Sequence, residues 1–208
     1  MEWARSPTPT RVETLSVEAI RLLVPSTRTP VMDAKAVERA IARMARRLIE
    51  MNAGEAKLML MGIHRRGVQL AHLLRAEIER AEGLSVPLGT LDITLYRDDL
   101  MAIGPRPVIG DSELPPGGID EQVVVIVDDV IFTGRTARAA LNELTDWGRP
   151  ARIYLCVLVD RGGRELPICP DIVGKSIDVK PNQTVEVLVP DLDGDLAVHV
   201  VTVPPEGA

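Results

Sequence analysis

The chain has 208 residues, of which 46% are hydrophobic and 26% charged, with a formal net charge of −6. That balance supports one medium domain with a buried core and a short appendage, and excludes both wholesale disorder and a protein that is basic all over. Only 2% of residues are aromatic, so the core must be aliphatic and base stacking on an aromatic platform is not expected.

Residues 1–30 are rich in Pro, Thr and Ser, with a short apolar patch from Val17 to Val24. They are expected to form an N-terminal extension, mostly mobile, with at most one short helix, ahead of a single domain over residues 31–208. The start, MEWARSPTPTR, lacks the apolar region of a signal peptide, and no apolar run is long enough for a transmembrane helix, so the expected compartment is the cytosol. Asp33 suits a helix N-cap, and Val37, Ile41, Met44 and Leu48 follow at helical spacing up to a stop at Asn52-Ala53-Gly54. Lys57 to Met61 reads as a short buried strand. Gly67 opens a second helix carrying Val68, Ala71, Leu74 and Ile78, which ends near Gly83. Leu91 to Tyr96 alternates as a strand, Gln122 to Val127 is the central strand, Arg135 to Trp147 is a helix, and Arg152 to Val159 is another buried strand. Strands alternating with helices predict βαβ units and a mostly parallel α/β sheet. Val185 to Val189 and Leu196 to Val203 flank Asp193-Gly194, a hairpin-turn dipeptide, and predict a small antiparallel flap at the C-terminal end.

The segment from Val123 to Thr136, VVVIVDDVIFTGRT, carries the chemistry. A buried strand ends in two carboxylates, Asp128 and Asp129, and open α/β sheets bind ligands at that carboxyl end. Thr133-Gly134-Arg135-Thr136 then leads into a helix, offering backbone N–H groups and hydroxyls to an anion. The acidic pair can meet sugar hydroxyls or hold a hydrated divalent cation. Gly62-Ile63-His64-Arg65-Arg66-Gly67 repeats the theme after the preceding strand, with backbone N–H groups and cations at the same edge. Between Arg97 and Asp120 the chain is crowded with Pro and Gly, as expected of a lid or binding loop.

Other motifs fail. Gly174-Lys175-Ser176 looks like the end of a P-loop, but Cys169 stands where its first glycine is needed. Asp191 to Asp195 has its glycine too early for a calcium loop, and Thr202 replaces the closing Glu. His64, His72 and His199 lack zinc-ligand spacing, and Cys156 and Cys169 form no C-x-x-C pair.

The Val123–Thr136 stretch resembles the phosphoribosyl-pyrophosphate (PRPP) signature of type I phosphoribosyltransferases. The resemblance implies that Asp128 and Asp129 are catalytic and meet the ribose hydroxyls, that Val130, Ile131 and Phe132 belong to the PRPP- and nucleotide-binding segment, and that Thr133, Gly134, Arg135 and Thr136 hold the 5′-phosphate. It further implies that Arg65 and Arg66 contact pyrophosphate and that Arg97 is a catalytic residue in the mobile loop. LDITLYRDDL (91–100) and LVDRGGRELPICPDIVGK (158–175) narrow the resemblance to the PyrR proteins, pyrimidine-operon regulators that are also uracil phosphoribosyltransferases. The likeness covers about residues 33–203. It implies the type I phosphoribosyltransferase fold, uracil and PRPP as substrates, and Mg²⁺ held indirectly by Asp128 and Asp129 through PRPP or water. It also implies UMP or UTP as effectors, binding of the leader mRNA of pyrimidine genes for transcription attenuation, and a homo-oligomer, dimer or higher. Val159, Asp160 and Arg161 would line the nucleotide side, with Val185 close by; Gly163 stands where this family often has His. A phosphoribosyltransferase acting on another base, without an RNA role, is the alternative.

Arg39, Arg43 and Arg46 share a helix face with Glu50, and Arg47 borders it. Such a stripe could track RNA phosphates or be a solvated surface. The PyrR family typically has Ala-His-Glu where this chain has Ala45-Arg46-Arg47.

Overall fold

Aliphatic residues dominate the strands of a five-stranded parallel sheet, valine and isoleucine at its centre and leucine and methionine toward one edge, as expected for strands covered on both faces. The computed structural model describes residues 27–52, 57–96 and 112–202. The sheet has the order β3-β2-β4-β5-β6, with β2 Leu58–Ile63, β3 Leu88–Leu91, β4 Val123–Ile131, β5 Arg152–Asp160 and β6 Ile172–Ser176. All four pairings are parallel.

Alternation along β4 separates two cores. Val123, Val125 and Val127 face helices α1 (Ala34–Met51) and α2 (Arg66–Glu82), packing with Val37, Ile41, Leu48, Leu74 and Ile78. Val124 and Ile126 face α3 (Arg135–Trp147), packing with Ala137, Ala140 and Leu144. Each such buried valine, leucine or isoleucine contributes about 1.5–3 kcal/mol, and each alanine less. Asp33 caps α1 by accepting from the Ala36 N–H at 2.7 Å, and Gly83 closes α2 in the left-handed conformation at φ 67°.

A second, antiparallel sheet has the order β1-β8-β7, with β1 Thr27–Met32, β7 Gln183–Leu188 and β8 Ala197–Thr202. One helical turn, α4 (Pro190–Asp193), joins β7 to β8. Arg28 of β1 pairs with Glu186 of β7 at 2.8 Å.

The structure departs from the sequence reading at several places. Strand β4 runs past Val127 through both carboxylates to Ile131, because β5 extends to Asp160 and keeps pairing with it. Leu91–Tyr96 is not a strand: β3 ends at Leu91, and a 3₁₀ turn, Ile93–Tyr96, follows. The Asp92 carboxylate accepts from the Thr94 N–H at 2.9 Å, a local bond that competes with strand pairing. Strand β6 was not expected; it docks on β5 where Gly174 lets the backbone come close, since a Cβ there would lie 2.6 Å from the Leu158 carbonyl oxygen. Asp193-Gly194 ends a helical turn, with Gly194 at φ 72°, rather than making a two-residue hairpin. The flap is not purely C-terminal either, because β1 completes it from Thr27, inside the stretch assigned to the extension. Residues 1–26 lie outside the described residues, as do Arg97 and 98–111 of the expected lid. Its later part is packed: Glu113 bridges Thr90, and Ile119 is 1% exposed.

Among the described residues, no helix is long and apolar enough to cross a membrane.

Candidate active site

The carboxyl end of β4 lies between two loops, 64–65 after β2 and 161–171 after β5, because β2 and β5 are its neighbours. Two glycines let the first loop settle onto β4. A Cβ on Gly67 would lie 2.4 Å from the Val127 carbonyl oxygen, and one on Gly62 would lie 2.5 Å from the Val68 Cα. No larger residue fits either place. The His64–Arg65 peptide is cis.

This packing leaves a cavity of about 430 Å³ lined by His64, Arg65, Asp92, Thr94, Asp128, Asp129, Val130 and Thr136. A smaller cavity of about 140 Å³ adjoins it, lined by Asp128, Phe132, Thr133, Gly134 and Thr136. Asp128 and Asp129 are neighbours on a strand and leave it on opposite faces, yet both line the larger cavity, which spans the strand's end. The Asp129 N–H donates to Asp128 Oδ1 at 3.0 Å, and the Val130 N–H donates to Asp129 Oδ1 at 2.9 Å.

Burial and then the neighbouring Asp129 charge push the Asp128 carboxyl well above its ordinary value. Burial also raises Asp129, against the pull of the Val130 N–H and of the Arg66 guanidinium. A pair held this way gains from hydroxyl donors or from a cation. Among the described residues no three His, Cys, Asp or Glu side chains cluster to hold a metal, so these two carboxylates suit a hydrated cation shared with a ligand rather than a protein cage.

Beside the pair, Gly134 takes φ 90° and turns β4 into α3. Its Cα faces Leu166 of the second loop, where a Cβ would lie 3.4 Å from the Leu166 Cβ. The Thr133 carbonyl accepts from the Glu165 and Leu166 N–H groups, both at 3.0 Å. Gly134 has no side chain to cap α3, and the Arg135 N–H donates to Thr133 Oγ1 at 3.3 Å, which leaves the Thr136 and Ala137 N–H groups of the first turn for an anion. The Arg135 guanidinium pairs with Glu165 at 2.7 Å, so Arg135 serves the turn through its backbone.

On the far side, the Arg161 N–H donates to the Ile131 carbonyl at 3.2 Å. The Arg161 guanidinium lies 4.0 Å over the Phe132 ring and donates to the Gln183 carbonyl at 3.0 Å. Burial would raise Asp160, but Arg164, at 2.7 Å, and the Gly162 N–H outweigh it and hold the carboxyl below its ordinary value. Val159 is fully buried in the core, and Val185 of β7 is half-buried. Gly163, at φ 75°, sits under Phe132: a Cβ there would lie 2.4 Å from the ring.

Of the residues predicted at the site, Arg65, Asp128, Asp129, Val130 and Thr136 meet in the larger cavity, and Ile131, Phe132, Thr133 and Gly134 in the smaller one. Arg66 instead pairs with Asp193, at 2.9 Å. Arg39, Arg43 and Arg46 are exposed on α1 and do not line the cavity. Arg43 also reaches the Gly174 carbonyl, at 3.1 Å, and Arg46 the Ala42 carbonyl, at 3.2 Å. Sequence reasoning missed Asp92 and Thr94, whose Asp-x-Thr spacing is a local turn signal, and it missed Asp193, Glu165 and Arg164, whose roles depend on contacts across the fold.

A family model described as a phosphoribosyl transferase domain matches residues 29–192. The chain is 54% identical over 162 residues to the "Bifunctional protein PyrR" of Herpetosiphon aurantiacus, covering 78% of this chain and 90% of that protein. The protein of the same name from Thermus aquaticus is 50% identical over 169 residues, covering 81% and 93%. Among solved structures, the hypoxanthine phosphoribosyltransferase of Trypanosoma cruzi superposes with a TM-score of 0.64 at 20% identity, covering 85% of this chain and 97% of that one. A hypoxanthine phosphoribosyltransferase from Staphylococcus aureus gives 0.62 at 19%, covering 94% and 100%. At these identities the structural likeness shows the fold alone.

Proposed function

Because this chain belongs to the PyrR family of phosphoribosyltransferases, we propose that it converts uracil and PRPP to UMP and pyrophosphate, and that it regulates pyrimidine genes by binding their leader mRNA. One observation carries the enzymatic half. Asp128 and Asp129 open into a single cavity beside a left-handed glycine turn and a helix N-terminus, so carboxylates and phosphate donors stand a few residues apart around one ligand space.

In this reading Asp128 and Asp129 accept hydrogen bonds from the ribose hydroxyls and orient the sugar as its anomeric carbon takes on positive charge. The backbone from Thr133 to Thr136 holds the 5′-phosphate. The 62–67 loop receives pyrophosphate, with Arg65 facing the cavity and Arg66 behind it. Negative charge builds on that leaving group, so fixed donors there favour bond breaking over ground-state binding. Arg161, Val185 and the backbone at Val159 and Asp160 flank the nucleotide. Mg²⁺, held through PRPP or water by the acidic pair, would supply charge neutralisation at the pyrophosphate oxygens. Arg97 lies outside the described residues and keeps its proposed place in the loop over the centre.

The regulatory half rests on α1. In an acidic chain, Arg39, Arg43 and Arg46 concentrate positive charge on one exposed face, which suits an RNA backbone. UMP or UTP in the cavity would favour the RNA-binding state only by binding that state more tightly.

Steady-state assay with PRPP, Mg²⁺ and either uracil or hypoxanthine tests the enzymatic half: turnover of uracil is expected, and turnover of hypoxanthine alone would overturn it. For the regulatory half, the Arg39→Gln, Arg43→Gln, Arg46→Gln triple variant should retain uracil turnover. Its binding to the operon's leader RNA, titrated with UMP at several salt concentrations, should weaken, with a salt slope shallower by about one unit per lost phosphate contact. Unchanged affinity and slope would leave this face a solvated surface.

A further inference from the structure

Arg66, at the start of α2, and Arg161, in the loop after β5, both reach the segment of the small antiparallel sheet. Arg66 approaches Asp193 with two nitrogens, Nη2 at 2.9 Å from Oδ1 and Nε at 3.3 Å from Oδ2. Asp193 is itself held, because its Oδ2 accepts from the Val189 N–H at 2.9 Å. From the loop after β5, Arg161 donates to the Gln183 carbonyl. Gln183 begins β7, and Val189 to Asp193 follow its end. Strand β7 is thus fastened at both ends, to the two loops that flank the carboxyl end of β4. The Arg66–Asp193 side chains are 37% and 18% exposed, so the pair is less screened than an open surface bridge.

We propose that Asp193 and Arg66 form a positioning pair which, with Arg161, pins β7 to the loops around the acidic pair, and that Arg66 acts through this contact rather than by binding pyrophosphate. The inference rests on the reading above, in which Val185 of β7 and the 159–161 segment flank the nucleotide. A pinned β7 presents Val185 at a constant place. A loosened β7 leaves the acceptor side incomplete while the PRPP side, built from β4, the 62–67 loop and the turn into α3, stays intact.

The test compares Asp193→Asn and Arg66→Lys in the full chain; Arg66→Lys keeps the cation that pulls on Asp129 and removes the two-nitrogen approach to Asp193. Both variants should raise the KM for uracil about fivefold, the size expected for a partly screened ion pair. The KM for PRPP and product inhibition by pyrophosphate should stay within about twofold. If Arg66→Lys instead raises the KM for PRPP and weakens pyrophosphate inhibition while Asp193→Asn does not, Arg66 is a direct ligand contact and the pinning role falls. Hydrogen exchange separates this from failure of the functional reading. Amides of β7 should exchange faster in Asp193→Asn whatever the enzyme turns over, and unchanged exchange there overturns the pin even if uracil is the substrate.

Discussion

Strand β4 contains two regions under one pattern of backbone pairing. Its first five residues, Val123 to Val127, are buried and apolar; the next three, Asp128 to Val130, are half-buried and surround a cavity. Both parts pair with β5 in the same register, from Val123 opposite Arg152 to Ile131 opposite Asp160. The backbone therefore does not mark where the core stops and the site begins. The side chains do. Helices cover the valines on both faces, whereas beyond Val127 β2 no longer pairs with the strand while β5 still does, and two carboxylates are left with less solvent than they would have in water. The core half stabilises the fold, and the site half holds charge in a place that favours ligand over water.

The sharpest way to break this comparison is to put the chemistry of one half into the other. Val125→Asp, at 0% exposure, places a carboxylate among aliphatic side chains without a cation or cavity to receive it. A cost above about 4 kcal/mol is expected, enough to lose cooperative unfolding, and circular dichroism against temperature would show it.

The converse change is expected to spare the fold. Asp129→Asn keeps the size and removes a charge that burial disfavours. Catalytic efficiency with uracil and PRPP should fall about tenfold or more, as for loss of charge-assisted hydrogen bonds. Stability should not fall with it. The folded carboxyl sits above its unfolded value, so in the wild type its penalty is full above the folded pKa and vanishes below the unfolded one. Any gain in Tm for Asp129→Asn should therefore be present at neutral pH and fade as pH drops through the carboxylate range. A variant that melts earlier at neutral pH would contradict the assignment of Asp129 to the site half.

Gly134→Val tests the boundary from the other side of the cavity. The left-handed backbone at φ 90° costs a non-glycine residue about 1–2 kcal/mol, more for a β-branched one, and the new side chain would meet Leu166. Calorimetry should show weaker binding of both UMP and PRPP, which share the 5′-phosphate. Unchanged UMP affinity would remove the turn from the phosphate site.

The smallest effect concerns Cys156, opposite Val127 at the end of the core half. Burial pushes its thiol up to about 12, so it stays protonated and non-nucleophilic at neutral pH. Of the two cysteines, only the exposed Cys169 should react with a thiol reagent in the native protein, and a second fast equivalent would mean the core half admits solvent.

Elements whose signals are local were legible in the amino-acid order. Helical spacing from Val37 to Leu48, the valine run into Asp128-Asp129, and the Thr-Gly-Arg-Thr turn each specify their own geometry, and together they located the fold class and the carboxyl-edge site. These features depend on side-chain period, capping and glycine conformation, all readable within a few residues. Elements and contacts that depend on distant partners follow from the folded chain. Strand β1 exists because β8 pairs with it from the other end of the chain, and β6 exists because Gly174 lets it approach β5. Whether Asp128 and Asp129 share a cavity was open on a strand whose neighbours alternate in direction; the loops after β2 and β5 settled it by where they turn away. Arg65 and Arg66 are adjacent and identical in chemistry, yet one lines the cavity and the other meets Asp193, because α2 begins between them and carries the second guanidinium toward the small sheet. No local signal separates two such residues; their roles follow from which way the fold aims each side chain and from the charge it meets there.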